Sequence, residues 1–396
     1  MDRTWFSDVR YTKSGKEVMM LRGLLIATTI VAVAFSFANA IAASPNIAPP
    51  HMKIESKPFG STNDGREVTR YTLINSHGHS VSVMNWGATL LEVMVPDRSG
   101  NLANVNLCFD ALEPYVTGHP YFGSTVGRFC NRIGEGRFTI DGKEYQVTIN
   151  AGKHHLHGGK LNFSYQYWEA EPVESDDAVG VRFSLTSPDG QEGFPGTVQA
   201  TVLYSWNDKD ELTIQFTATT DAPTHVNLTN HSYWNLGGAG SGSALDHVAK
   251  IEADQWLDVD ESLIPTGTLN QVDGTVLDFR EPTPLGNRSG EITGTNGYDH
   301  CYVIRGEPGE LRPAARVVDP QSGRVLEIET TQPGMQLYTA NHLPGNERSN
   351  GYGQHEAFCL ETQHYPNAPN RPSFPTTLLK PGETMRETTV HRFSTE

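Results

Sequence analysis

Alternating hydrophobic and polar residues dominate the chain from about Lys53 onward, and this alternation predicts β-strands. The segment RFTIDGKEYQVTI alternates on both sides of Asp141-Gly142, and such a pair between two alternating runs is a strong signal for a β-hairpin. The same pattern recurs around Asn207–Asp210 and around Asp319–Gly323. These segments therefore predict antiparallel strand pairs that follow one another along the chain.

Helical periodicity is weak in this part of the chain. No stretch of about twelve or more residues keeps a helical repeat of hydrophobic positions without an interrupting Gly or Pro. Strands that follow one another without intervening helices disfavour a parallel sheet and favour a sandwich. We therefore predict an all-β fold, a large antiparallel β-sandwich, in which residues 53–396 form a single catalytic domain.

The N-terminal segment has the layout of a secretory signal. A basic Arg22 precedes an apolar run, Leu24–Phe37, and several alanines follow before Ser44. We predict a signal peptide over residues 1–43 and a short linker over residues 44–52. Translation from Met19 or Met20 is an alternative start, because the residues before them are unusually polar for a signal.

The competing interpretation of the same segment is a retained membrane anchor. Leu24–Ala43 is about long enough to span a bilayer. The short apolar core and its small-residue end favour cleavage instead. We therefore expect an exported protein, periplasmic or secreted, that has no stable membrane association after the signal is removed.

Composition narrows the classes of partner. Acidic residues number 46 against 30 basic ones, which gives a formal net charge of −16. No basic block accompanies them, so we expect no nucleic-acid partner and no docking on an anionic membrane. A neutral or cationic small ligand suits this charge better. The four cysteines form no CxxC pair and have apolar neighbours, so we expect small buried side chains instead of a disulfide framework.

Motifs for nucleophilic catalysis and phosphate binding are absent from the sequence, which contains neither GxSxG nor GxxxxGK[ST]. Polar clusters occur instead at five separate places, most of them with Gly, Asn or Pro, which are typical of turns and strand ends. Loops on a rigid sandwich commonly carry functional sites. The five clusters are GRFCNRIGEG, GKHHLHGG, TNHSYWNLGG, NGYDH and CLETQHYPNAPN.

Individual residues in these clusters have competing interpretations. Glu361 follows the apolar run AFCL, and a carboxylate buried there needs a partner or a catalytic role. Arg132 either pairs with a nearby carboxylate or holds two adjacent hydroxyls through its guanidinium fork. The histidines of His154–His157 could bind a metal, but no HExxH motif or spaced carboxylate accompanies them. We therefore predict no metal site there and interpret His157 as a hydrogen-bonding loop residue.

Several of these segments, in this order along the chain, resemble the aldose 1-epimerases, which are also called galactose mutarotases. The resemblance spans roughly Lys53 to Ser394 and rests on GRFCNRIGEG, HLHGG, GQEGFPG, VNLTNHSYWNLGG, IEADQWLDVDESLIPTG, TTQPGMQLYT and FCLETQ. It implies a galactose mutarotase-like β-supersandwich and interconversion of the α and β anomers of free aldohexoses such as galactose and glucose, without a cofactor. The family's acid falls on His231, its base on Glu361, and its sugar-binding residues on Asn131, Arg132, His157, Asp299 and Gln332.

The chemistry of these side chains agrees with that reaction. Ring opening needs a base for the C1 hydroxyl proton and an acid for the ring oxygen, and a histidine near pKa 6.5 can serve in either role. A glutamate partly desolvated by apolar neighbours can be tuned to match it. Neither a metal nor a covalent intermediate is needed. Ser232, Tyr233 and Trp234 are further sugar-binding candidates, and we expect one of the two aromatics to pack in the core instead of against the sugar.

Two other functions remain open at this stage. A glycoside hydrolase would use two carboxylates that flank a glycosidic bond, and Asp299 and Glu361 could have those roles. A non-catalytic carbohydrate-binding protein would need the aromatic residues but not both His231 and Glu361. A phosphosugar epimerase is disfavoured because the chain is acidic. We expect aldose sugars as the small-molecule partner and either a monomer or a homodimer.

Overall fold

Consecutive strands pair antiparallel along most of the chain in the computed structural model, which describes residues 51–396. The predicted signal peptide, residues 1–43, lies outside the described residues, as does the predicted linker apart from its last two residues. Among residues 51–396, no helix is long and apolar enough to cross a membrane.

The strands are numbered in chain order. They are β1 Lys53–Ser61, β2 Glu67–Ile74, β3 Ser80–Met84, β4 Thr89–Pro96, β5 Leu102–Asn104, β6 Thr125–Val126, β7 Arg132–Ile133, β8 Arg137–Ile140, β9 Lys143–Gln146, β10 His155–Leu156, β11 Glu169–Glu174, β12 Ala178–Ser187, β13 Val198–Asn207, β14 Glu211–Thr220, β15 Thr224–His225, β16 Thr229–Asn230, β17 Val248–Ile251, β18 Ala253–Val259, β19 Pro265–Gln271, β20 Thr283–Pro284, β21 Asp299–Ile304, β22 Arg312–Val318, β23 Arg324–Thr330, β24 Gly334–Tyr338, β25 Cys359–Gln363, β26 Leu378–Leu379 and β27 Met385–Thr395.

Helical structure is minor in the described part of the chain, as the absence of a helical repeat predicted. One short α-helix, α1, spans Glu113–Thr117. The remaining helical turns are 3₁₀ segments at Gly134–Gly136, Phe163–Tyr165, Gln191–Gly193, Ser289–Glu291, Glu347–Ser349 and Ala368–Asn370.

Three larger sheets build the fold. A nine-stranded sheet has the order β11-β12-β13-β14-β27-β23-β22-β17-β20, and two five-stranded sheets have the orders β1-β2-β3-β4-β5 and β19-β18-β21-β24-β25. One hydrophobic core contains side chains from all three, among them Val83, Phe216 and Met335. The described residues lie in a single compact unit. The prediction of an all-β, antiparallel sandwich fold is confirmed.

The predicted hairpins form where the turn residues require them. Ile140 pairs with Lys143 across Asp141-Gly142, and these two residues adopt φ values of 49° and 80°. Positive φ at both central positions is the geometry of a type I′ turn, which Asp-Gly favours because its twist matches that of the strands. The strands around the other two predicted turns also pair, as β13 with β14 and β22 with β23.

All four cysteines are free and buried, as their apolar neighbours predicted. Burial raises the pKa of each thiol, so each side chain stays protonated near neutral pH. The four are Cys108, Cys130, Cys301 and Cys359.

Candidate active site

Three neighbouring strands, β21, β24 and β25, form the floor of the candidate site. Strand register places Gln336 opposite both Cys301 and Glu361. Alternate residues of a strand point to the same side of the sheet, so residues two positions away share this face. The floor therefore consists of two rows across the strands, Cys301–Gln336–Glu361 and Asp299–Tyr338–Cys359.

A cavity of about 300 Å³ lies on this floor. Its volume is at the lower end of the range for small-molecule sites. Seven of the residues predicted from the sequence line it, although they come from five separate segments of the chain. They are Asn131, Arg132, His157, His231, Tyr233, Asp299 and Glu361.

Glu361 is the most deeply buried acid of the cavity, with a relative exposure of 3%. Its Oε2 atom has no hydrogen-bond partner among the described residues. Burial raises its pKa well above the usual value, and the nearby charge of Asp299 raises it further. A buried acceptor without a partner requires an explanation, and a ligand hydroxyl would satisfy it.

His231 faces Glu361 across a short gap, with 3.7 Å between Nε2 and Glu361 Oε2. Its ring lies between those of Tyr121 and Tyr233, at interplanar angles of 12° and 7° and centroid distances of 5.8 Å and 5.0 Å. On the other side of the ring, Nδ1 lies 3.7 Å from the Cys359 thiol. These contacts hold the orientation of the imidazole, and Nε2 remains directed towards the acid.

Local backbone pairing determines where His231 sits. Strand β16 pairs with β6 and ends one residue before His231. The His231 amide then donates to the Ser124 carbonyl at 3.0 Å, and the His231 carbonyl accepts from Gly123 N at 3.0 Å. Main-chain hydrogen bonds on both sides therefore fix the histidine at the cavity, in the middle of the sequence TNHSYW.

Burial shifts the pKa values of His231 and Glu361 in opposite directions. Desolvation lowers the pKa of His231 to about 3, whereas it raises that of Glu361 well above 4.5. Both shifts favour the uncharged forms, because burial penalises a charge of either sign. Burial therefore favours the protonated form of Glu361 and the neutral imidazole of His231. Two such groups titrate as one coupled system.

His157 and Asn131 meet at the rim of the cavity through adjacent short strands. Strand β7 pairs with β10, and Asn131 N donates to His157 Nδ1 at 3.1 Å. Burial lowers the pKa of His157 well below 6.5, so the ring is neutral. Because Nδ1 accepts a hydrogen bond, Nε2 carries the proton and can donate to a ligand.

Arg132 is the only lysine or arginine in the cavity lining. It is half-buried, and none of the salt bridges among residues 51–396 includes it. The alternative of a simple surface ion pair is therefore not what this structure shows. Asp299 Oδ1 accepts from Gln336 Nε2 at 2.7 Å, so these two floor residues present a joined pair of polar groups. Together these groups suit a neutral, hydroxyl-rich ligand.

The structure does not bring Gln332 to the cavity. Its Nε2 donates to the Thr362 carbonyl at 2.9 Å and to the Leu228 carbonyl at 3.3 Å, so it ties neighbouring segments together. Gln336, four residues later, lines the cavity instead. Both lie in TTQPGMQLYT, but only Gln336 belongs to a strand whose alternate side chains form the cavity floor. Gln336 lies between apolar Met335 and Leu337, and this alternation of polar and apolar residues was the sequence signal that could have identified it.

Two residues beside His231 also lie outside the cavity lining. Ser232 Oγ donates to Asn230 Oδ1 at 2.5 Å. Trp234 packs in the core against Phe393, with 5.7 Å between ring centroids. Tyr233 lines the cavity, so it is Trp234 that packs in the core, consistent with the expectation that one of the two aromatics would.

Tyr121 is a cavity residue that sequence reasoning missed. Its backbone adopts φ 64°, and Asn131 and His157 likewise have positive φ values of 58° and 50°. Such conformations are sparsely populated by side chains other than Gly and cluster at functional sites. Tyr121 carries no motif that marks it, because only the fold stacks its ring on His231. Four apolar lining residues were also missed, namely Leu257, Val259, Leu263 and Pro265.

The histidines of HHLH do not gather around a common point. His154 Nδ1 accepts from Glu135 N at 3.0 Å, and His155 Nδ1 contacts the Thr148 carbonyl at 2.7 Å. Within residues 51–396 they belong to no group with metal-ligand spacing. Such a group does form between His231, Cys359 and Glu361, whose ligand atoms lie within 4.8 Å of one another. Binding a cation there would compete with proton exchange between His231 and Glu361.

The chain matches one protein family over most of its length. The model of the family described as aldose 1-epimerase matches residues 69–392. The galactose mutarotase of Bos taurus is 45% identical over 339 residues, which are 85% of this chain and 97% of that protein. The aldose 1-epimerase of Escherichia coli K12 is 34% identical over 340 residues, with 84% and 97% covered.

Solved structures show the same fold. Galactose 1-epimerase from Lactobacillus acidophilus superimposes with a TM-score of 0.78 at 27% identity, and the match covers 87% of this chain and 99% of that one. An aldose epimerase homologue from C. elegans superimposes with a TM-score of 0.74 at 32% identity, covering 81% and 97%.

Proposed function

The chain belongs to the aldose 1-epimerase family, and we propose from that premise that His231 and Glu361 carry out its proton transfers. The activity is that of a mutarotase, which interconverts the α and β anomers of aldose sugars. The observation that carries the proposal is the distance of 3.7 Å between His231 Nε2 and Glu361 Oε2 on the cavity floor. The ring oxygen and the C1 hydroxyl of a sugar are bonded to the same carbon, so a pair this close reaches both.

Ring opening moves one proton on to the sugar and one off it. Glu361, as the carboxylate, takes the proton of the C1 hydroxyl. At the same time His231, as the imidazolium, protonates the ring oxygen, and the bond between C1 and the ring oxygen breaks. Rotation about the C1–C2 bond turns the other face of the aldehyde towards the nucleophilic hydroxyl. The same two transfers in reverse then close the ring as the other anomer, so protons and electrons balance over the cycle.

Sugar binding prepares the pair for this step. In the empty cavity burial favours neutral His231 and protonated Glu361. Sugar hydroxyls that donate to Glu361 stabilise its carboxylate, because hydrogen bonds to a charged form lower the pKa. The proton on Glu361 then moves to His231. The uncharged resting pair avoids the cost of two buried charges, and the reactive ion pair forms only when a sugar is bound.

The remaining polar residues hold the sugar. Arg132 and Asp299 offer charge-assisted hydrogen bonds, and His157 offers a neutral N–H donor. Tyr121 and Tyr233 stack with the His231 ring, and the four apolar lining residues complete the cavity surface. A single cation among two carboxylates favours neutral aldoses such as galactose and glucose over phosphorylated sugars.

Polarimetry tests the acid–base assignment. Freshly dissolved α-D-galactose and α-D-glucose should reach their equilibrium rotation faster with the enzyme. Glu361→Gln should lower the enzymatic rate by about 10²-fold or more. Near wild-type turnover in Glu361→Gln would disprove the base. Release of reducing sugar from disaccharides by the wild type would support a glycoside hydrolase instead, and its absence would exclude that alternative.

Export and assembly are further parts of this proposal. The apolar segment before Ser44 supports export to a periplasm or secretion, with the signal removed and no stable membrane association. Cell fractionation with N-terminal sequencing tests this, and an intact N-terminus in the cytosol would contradict it. We expect a monomer or a homodimer, and light scattering during size-exclusion chromatography distinguishes them.

A further inference from the structure

We propose a divalent-cation site, suited to Zn²⁺, at His77, His79 and Asp210, on turns that contribute nothing to the sugar cavity. Each of these residues offers a ligand atom, and the three atoms lie within 4.8 Å of one another. Two imidazoles and one carboxylate form a donor set that Zn²⁺ accepts, with the remaining position open to water. The site would join two sheets of the fold.

The three residues come from two turns that are distant in sequence. His77 and His79 lie in the turn between β2 and β3, which belong to a five-stranded sheet. Asp210 lies in the turn between β13 and β14 of the nine-stranded sheet. His79 Nδ1 is 2.8 Å from Asp210 Oδ1, so the two turns already meet at this point. A cation between these atoms would replace this direct hydrogen bond.

Asn75 organises the turn that carries both histidines. Its Oδ1 accepts from His77 N at 3.1 Å and from His79 N at 3.0 Å. Its Nδ2 donates to Asp210 Oδ1 at 2.7 Å, which orients the carboxylate towards the histidines. Hydrogen bonds of this kind hold metal ligands in place and tune them. The backbone of the turn and the carboxylate are therefore positioned before any cation arrives.

Accessibility and charge both favour binding. His77 is exposed, whereas His79 and Asp210 are partly buried, with side-chain exposures of 17% and 19%. The rings of His77 and His79 lie 5.7 Å apart, and exposed His77 offers a ligand nitrogen within 4.8 Å of the ligand atoms of the other two residues. Asp208, whose Oδ1 accepts from Ser76 N at 2.8 Å, adds negative charge to the same end of the molecule.

A cation here would stabilise the fold. Binding to the folded state alone raises stability in proportion to the logarithm of ligand concentration over Kd. The unfolded chain holds these ligands far apart, so a clip between the two turns also closes a long loop. The expected result is a rise in the unfolding temperature with added Zn²⁺ and no change in mutarotation rate.

Calorimetric titration of the metal-free enzyme with zinc chloride tests the site. Saturating galactose is included because His231, Cys359 and Glu361 form a second candidate group inside the sugar cavity. We expect His79→Ala to lose one zinc per chain and His77→Ala to weaken binding about 10-fold or more, at least the size of losing a supporting contact. His51→Ala, which removes another exposed histidine, is the matched control and should bind as the wild type does.

Thermal unfolding provides the second readout. At a fixed zinc concentration, the unfolding temperature of the wild type and of His51→Ala should rise, and that of His77→Ala should rise less. His77 is exposed, so its replacement leaves the fold and the basal mutarotation rate unchanged. Equal zinc binding by His77→Ala, His79→Ala and the wild type would overturn the proposal, and show His79 and Asp210 to be an ordinary hydrogen-bonded pair. Binding without a rise in unfolding temperature would also overturn it.

Discussion

The strand floor of the sugar cavity and the loops at its rim hold polar side chains in different ways. On the floor, Glu361 lies in β25, which pairs with β24. Its side chain is almost fully buried, and its pKa is raised. At the rim, Arg132 is half-buried on the two-residue strand β7, and its side chain is in no salt bridge with the described residues. Burial shifts the pKa of a titratable side chain and so changes its protonation state. A partly exposed charged side chain instead offers charge-assisted hydrogen bonds.

This difference separates two contributions to catalysis. Hydrogen bonds to hydroxyls away from C1 are alike in the bound sugar and in the transition state, so they contribute mainly to binding. Proton transfer at C1 and the ring oxygen matters only as the bond breaks. We therefore expect changes at the acid–base pair to lower kcat and changes at the rim to raise KM.

The largest expected effect is that of His231→Asn. It removes the acid and should lower kcat by about 10²-fold or more while galactose still binds. Polarimetry measures kcat, and tryptophan fluorescence or calorimetry measures binding. If this variant loses binding altogether while Arg132→Ala keeps a normal KM, His231 is a binding residue, and His157, 5.3 Å away between ring centroids, becomes the candidate acid.

Arg132→Ala should have the next largest effect, on the opposite parameter. Hydrogen bonds to a charged group are worth about 1.5–3 kcal/mol, which corresponds to a rise in KM of about tenfold or more. We expect kcat to fall less, through lost orientation of the sugar. Arg137→Ala is a matched control, because Arg137 is exposed and lies outside the cavity. An unchanged KM in Arg132→Ala would remove the distinction between floor and rim.

Gln336→Ala and Gln332→Ala form a smaller and sharper test. Gln336 lines the cavity, so we expect its loss to raise KM by roughly the threefold to tenfold that one neutral hydrogen bond to the sugar supplies. Gln332 holds the carbonyls of Leu228 and Thr362, so its loss should lower the unfolding temperature and leave KM nearly unchanged. The reverse pattern would restore the sugar-binding role that the sequence assigns to Gln332.

Asp299→Asn should produce the smallest change at neutral pH but a shift in the pH profile. Burial is the main cause of the raised pKa of Glu361, and the Asp299 charge raises it further. The active pair holds one proton, so activity is lost as pH rises and that proton leaves. Without the Asp299 charge the proton leaves at lower pH, so the alkaline limb of the pH profile of kcat/KM should shift to lower pH. A limb that stays in place would show that Asp299 acts on the sugar alone.

Much of the fold follows from local sequence patterns. Alternation predicted the strands, and Asp141-Gly142 located a hairpin because both residues tolerate positive φ. The floor residues were harder to assign, because a strand's own pattern shows which residues share a face but not which strand lies beside it. Gln336 lies opposite Glu361 only because β24 pairs with β25 in this register.

The sequence by itself determined the strand content, the hairpin turns and the family resemblance, which implies His231 and Glu361 as candidate acid and base. Tertiary structure decided which glutamine lines the cavity, that Tyr121 stacks on His231, and that His231 Nε2 and Glu361 Oε2 lie 3.7 Å apart. The physical reason is the distance along the chain between the residues that determine each property. Backbone conformation responds to neighbouring residues, whereas burial, and with it the opposite pKa shifts of His231 and Glu361, depends on side chains that only folding brings together.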